Sequence, residues 1–168
     1  MPEKAAKLKI EEVIPEYLNG DMQKLALDLV AYLRANKMNP TQTAHNSWKV
    51  NYKGSCLCYV RICDAEHYYR KFPDNPPSWV ITLYLNYINE YENVIINEKL
   101  QDIILNNVGY LCTSCRHCAP GRDVTVLGKE IKGVCAGVPL TWVFDPDETT
   151  LNGIKKLLEL EQVARTKK

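Results

Sequence analysis

Cys112, Cys115 and Cys118 form a C-x-x-C-x-x-C run, and Cys135 follows with residues 119–134 between. Two-residue spacers let successive thiolates converge on one ion, and a later cysteine can close a tetrahedron around it. Zinc is the expected metal, because Zn²⁺ has no geometric demand from its d-electrons and accepts four thiolates readily. Pro120-Gly121 supplies a turn after the third ligand, and Arg116, Arg122, Lys129 and Lys132 supply positive charge against a net negative thiolate site.

The same thiolates suit two other chemistries. An iron–sulfur cluster is the alternative cofactor, and the run opens like a ferredoxin motif. Ala119 and Pro120 stand where that motif places its adjacent fourth cysteine and proline, so Cys135 would have to serve as the distant ligand. Thiol–disulfide exchange is the alternative reaction, since the run holds two overlapping C-x-x-C pairs beside Arg116 and His117, which lower a thiol pKa. A redox motif, however, sits where a strand leads into a helix, whereas this run follows a predicted helix and precedes Pro-Gly. A closed four-cysteine site also leaves no open coordination position, which argues for structure over catalysis.

The remaining chemistry-bearing residues are more dispersed. Cys56 and Cys58 alternate on a predicted strand and Cys63 falls on its other face, the pattern of small buried hydrophobes. His45 and His67 lie in predicted loops, with no G-x-S-x-G or H-E-x-x-H pattern and no phosphate-cradling glycine loop. The chain has ten Tyr and three Trp but only two Phe. Trp48, Tyr52, Tyr59, Trp79 and Tyr84 fall on predicted strands and form a candidate ligand face, because amphipathic rings offer contact area with a polar tip.

The elements that must position these residues follow from periodicity and turn signals. Residues 1–20 read as a lead-in with a helical turn over Ile10–Tyr17. A helix capped by Asn19 or Asp21 runs to about Lys37, its buried stripe being Met22, Leu25, Leu29 and Leu33. Asn39-Pro40 stops it. Ser47–Tyr52 and Cys56–Cys63 form a hairpin about Lys53-Gly54, residues 64–77 a proline-containing loop, and Trp79–Leu85 a buried strand. Asn97–Val108 has helical spacing. Val124–Leu127 and Ile131–Cys135 form a small hairpin about Gly128-Lys129, and Leu140–Phe144 another strand. A last helix starts at Asp145, with Pro146 in its first turn and Glu148 completing a capping box.

This order predicts an α+β fold: one domain over residues 21–168, an antiparallel or mixed sheet with helices packed on it, and the 112–135 cysteine loop as an insertion. Its 168 residues, 46% apolar and 24% charged, are ordinary globular composition. Twenty-one Lys and Arg against twenty Asp and Glu leave a charge of +1, which argues against nucleic acid as a partner. The N-terminal stretch has no apolar core like that of a secretory signal, and no stretch suits a membrane span. A cytoplasmic location is expected, and seven cysteines in a reducing compartment favour metal ligands over disulfides.

The segment Cys112-x-x-Cys115-x-x-Cys118-x-Pro120-Gly121, then Gly128-Lys129-Glu130 and Cys135, resembles a group of uncharacterised bacterial proteins. That group also carries a hairpin like Trp48–Gly54 and a segment like Pro76–Trp79, so the resemblance spans residues 25–160. It implies no particular activity. The helix-then-hairpin front half is similar to YdhG-like domains, which implies an α+β fold; those domains generally lack the cysteine run, so their discussed role with iron does not carry over. Together these readings give a non-enzymatic module that binds a small molecule or a protein, with a structural zinc at the four cysteines.

Overall fold

The computed structural model describes residues 7–63, 74–109, 121–135 and 139–167. Among them are α1 (Ile10–Tyr17), α2 (Gly20–Ala35), β1 (Asn39–Ala44), β2 (Ser47–Tyr52), β3 (Ser55–Ile62) and β4 (Trp79–Leu83). A 3₁₀ turn over Ile88–Glu90 leads to α3 (Glu92–Asn97), α4 (Gln101–Leu105), β5 (Arg122–Val126), β6 (Lys129–Val134), β7 (Thr141–Phe144) and α5 (Glu148–Thr166). Five strands form a sheet in the order β1-β2-β3-β4-β7, and β5-β6 form a second. The fold class is therefore α+β, as the sequence predicts.

The chain divides into two compact units, Met1–Ile81 with Phe144–Leu151 and Thr82–Val143 with Asn152–Lys168. The division passes inside β4, β7 and α5 rather than through a linker.

In the first unit, α1 buries Ile10, Val13 and Ile14, and α2 buries Ala26, Leu29, Val30 and Leu33. An ion pair between Glu11 and Arg34 ties the two helices together. Helix α2 ends in a Schellman turn: Lys37 takes a left-handed φ of 61°, its N–H donates to Arg34 O, and Met38 N–H donates to Leu33 O. Met38 is then buried, and the chain turns at once into β1. The expectation that Asn39-Pro40 only stops a helix is thus incomplete. Pro40 lies in an edge strand, where its missing N–H is tolerated. Strands β2 and β3 form the predicted hairpin, with Lys53 and Gly54 both at positive φ, as a two-residue turn requires.

In the second unit, the predicted helix Asn97–Val108 is replaced by α3 and α4. Another Schellman turn divides them: Lys99 has φ 57°, its N–H donates to Ile96 O, and Leu100 N–H donates to Ile95 O. Strands β5 and β6 pair about Leu127-Gly128, one residue before the predicted turn.

The start of α5 also differs from expectation. Asp147, not Asp145, caps the helix, accepting from Thr150 N–H at 2.7 Å. Asp145, at φ 41°, turns its carboxylate onto the backbone of a distant segment, accepting from Ser78 N–H at 2.9 Å and Trp79 N–H at 3.0 Å. A tertiary demand has claimed the carboxylate that the local pattern assigns to the cap.

Candidate functional site

Cys112, Cys115 and Cys118, with Arg116 and His117 among them, lie outside the described residues, as does His67. Cys135 is half-buried immediately after β6. The chain on both sides of the cysteine run is described, and its geometry bears on the site. Before the run, Val108 pairs with Thr141 and Gly109 N–H donates to Leu140 O. A side chain at Gly109 would put a Cβ 2.6 Å from the Trp142 ring, so only glycine lets the backbone approach so closely. After the run, Arg122 is the register partner of Val134. Antiparallel pairing therefore brings the chain leaving the run alongside the residue before Cys135.

That register depends on a bulge. Arg122 pairs with Val134 but Val124 with Ile131, so Lys132 and Gly133 together face the one residue Asp123. Gly133 has φ 68° and donates its N–H to Asp123 Oδ1 at 2.9 Å. Without the extra residue, Cys135 would move by one ladder position and to the opposite face. Among the described residues, no group of three or more His, Cys, Asp or Glu is placed to hold a metal.

Of the other cysteines, Cys58 and Cys63 lie in the core, whereas Cys56 is only half-buried. Cys58 is buried, and burial, with the neighbouring Cys56 second, pushes its thiol well above the ordinary range. A thiol so disposed is a poor nucleophile. Cys63 is also buried, and His45 sits in the β1–β2 turn.

The five aromatic residues do not make one face. Trp48 and Trp79 are buried, Trp48 donating its Nε1–H to Leu8 O at 3.1 Å. Trp48 pairs with Val60 whereas Tyr59 pairs with Lys49, and neighbouring ladder positions point to opposite sides of the sheet. Tyr59 and Tyr52 are half-buried under Arg61 and Lys53, each cation 5.6 Å from its ring. Tyr84 lies in the second unit, where it lines a cleft.

That cleft has a volume of about 420 Å³, within the range of small-molecule sites. One wall is the end of β4 and the segment that follows it, including Leu83, Tyr84 and Ile88. The other is the face of β5 that carries Arg122, Val124 and Val126 at alternate positions.

A buried polar network holds the first wall. Glu161, fully buried on α5, accepts from Asn86 N–H and Tyr87 N–H, each at 3.2 Å, and from Tyr91 Oη–H at 2.6 Å. Arg165, one turn on, donates from Nε to Glu161 at 2.9 Å and from Nη2 to Tyr84 O at 3.2 Å. Burial, and next the bond to Glu161, raises the Tyr91 hydroxyl far above its ordinary value and keeps it a neutral donor. The sequence reading passes over this network. Its one signal is that Glu161 continues the apolar stripe of Leu151, Ile154, Leu157 and Leu158 in helical phase, with Arg165 four residues on.

Among the described residues, no helix is long and apolar enough to cross a membrane. Comparisons with family models, curated proteins and solved structures found no match.

Proposed function

We propose that the chain is a non-enzymatic binding module whose β5–β6 hairpin is stapled by a structural zinc ion on Cys112, Cys115, Cys118 and Cys135. The observation that supports this is the bulged register of the hairpin. Cys118 lies four residues before Arg122, and Cys135 one residue after the partner of Arg122. At about 3.3–3.6 Å per residue, so short a tether keeps the run within reach of Cys135. The backbone bonds of Val108 and Gly109 to the start of β7 hold the other end of the run. Exposed Lys129 and Lys132 on the same hairpin offset the negative charge of four thiolates on one Zn²⁺. When bound, the ion would supply cross-linking between loop and hairpin, and the closed ligand set leaves it no place for a substrate.

The test is elemental analysis with an absorption spectrum on protein purified without added metal or a nickel column. One zinc per chain, lost in Cys135→Ser, is the expected result. Stoichiometric iron with visible absorption would replace zinc with an iron–sulfur cluster. Metal-free protein with all seven thiols titratable would refute the site and bring thiol–disulfide chemistry forward.

A further inference from the structure

We propose that the cleft of the second unit binds a small amphipathic anion: an apolar body of ring or short-chain size bearing one carboxylate or sulfonate. The inference rests on the binding-module reading and is independent of the metal.

Three observations carry it. The first is charge complementarity. Among the described residues that line the cleft, Arg122 alone is charged, and it stands at one end of a strand face whose next two residues are Val124 and Val126. A ligand matched to that face has its apolar body over the valines and its acid at the guanidinium, whose planar fork suits a carboxylate or sulfonate. The second is size, since about 420 Å³ suits a small molecule rather than a peptide strand or helix.

The third is the preparation of the opposite wall. The segment after β4 is neither strand nor helix over Tyr84–Tyr87, and side chains of α5 hold its backbone. Tyr84 O is taken by Arg165, and Asn86 N–H and Tyr87 N–H are taken by Glu161. A buried ion pair contributes little net stability against a well-packed apolar alternative. Fixing an irregular cleft wall gives this one a role, because a wall ordered in advance lowers the conformational cost of binding. Cys135 is not among the described residues that line the cleft.

Two naphthalene probes that differ in charge provide the test: the anionic 8-anilinonaphthalene-1-sulfonate and the neutral N-phenyl-1-naphthylamine. Both are titrated by fluorescence into the full-length wild-type protein, Arg122→Gln and Val124→Trp. Urea midpoints are measured in parallel, to exclude dye bound to partly unfolded chains, and metal content is measured on each sample. The expected result is saturable binding of the sulfonate to wild type, weakened about tenfold in Arg122→Gln as a charge-assisted contact is lost. The neutral probe changes by less than about twofold in that variant, and Val124→Trp abolishes binding of both by filling the cleft. The proposal is overturned if no saturable binding occurs below about 1 mM, a very weak affinity. It is equally overturned if Arg122→Gln leaves the two probes affected alike, or if Val124→Trp changes neither. Zinc-free protein that still passes this test would sink the metal reading and leave the cleft standing.

Discussion

Glu161→Gln is the most informative single change in this chain, because it alters charge and almost nothing else. The carboxylate is fully buried and accepts from two backbone N–H groups, the Tyr91 hydroxyl and Arg165 Nε. Glutamine fills the same volume, but one of its two acceptor positions becomes a donor facing donors, and Arg165, whose side chain is 6% exposed, keeps a charge with no counterion. Breaking a buried pair in this way costs about 3–5 kcal/mol, a large part of the roughly 5–15 kcal/mol that holds a typical domain. With a urea slope of about 2 kcal/mol/M, the midpoint falls by about 1.5–2.5 M. Arg165→Met alone should cost a similar amount, for the mirror-image reason. The double variant removes both charges, so it should recover at least about 2 kcal/mol relative to the sum of the two singles. The assay is urea unfolding at pH 7 followed by tryptophan fluorescence, with equal slopes required before midpoints are compared. A loss below about 1 kcal/mol in Glu161→Gln, or strict additivity in the double variant, would refute the claim that the pair organises the loop.

Other outcomes are expected from the same structure. On the alkaline side, Cys58 and Tyr91 have raised folded pKa values, so their contributions are full below their ordinary values of 9.0 and 10.0 and are lost as pH rises beyond them. Stability measured from pH 8 to 11 should fall less steeply in Cys58→Val and in Tyr91→Phe. On the acid side, the bond to Thr150 holds the Asp147 carboxyl below its ordinary 3.8, so its contribution is present above that pH and is lost as pH falls further. Asp147→Ala should cost about 1 kcal/mol at pH 7 through the lost cap, and the difference from wild type should shrink toward pH 2. Gly133→Ala meets no neighbouring atom, so its cost is the left-handed backbone alone, about 1 kcal/mol. If the bulge aligns Cys135 with the run, zinc affinity in a chelator competition should fall in Gly133→Ala; unchanged affinity would detach the bulge from the metal.

The sequence made the hairpins legible because their signals are local. Trp48, Val50 and Tyr52 alternate, and Lys53-Gly54 suits a turn with two positive φ angles. The break between α3 and α4 was hidden because Lys99 occupies the left-handed position that glycine usually marks, leaving the apolar spacing of 97–108 continuous. The same disguise, at Lys37, ends α2. The Asp145-Pro146-Asp147-Glu148 stretch offers two caps, and the choice was made by the Ser78 and Trp79 amides, far away in sequence. The aromatic face failed for a related reason. Alternation assigns parity within a strand, but only the register separates Tyr59 from Trp48, and only packing buries both tryptophans.

The cysteine residues are legible as types, while what would make them a site is again register. Ligand spacing of two residues and a distant fourth thiol is compatible with many arrangements of the intervening chain. The fourth thiol is useful only if the hairpin returns it to the mouth of the run, and a ladder with period two returns it to the wrong side if it slips by one. Gly133 and Asp123 set the register of the hairpin through a single bulge, since the glycine takes the backbone angle and the carboxylate holds its N–H. The same decision sets Arg122, Val124 and Val126 along the cleft. A two-stranded sheet buries too little to be stable by itself. If the four cysteines hold a metal as proposed, that staple is a physical means of keeping so small a sheet in the one register that sets Arg122, Val124 and Val126 along the cleft.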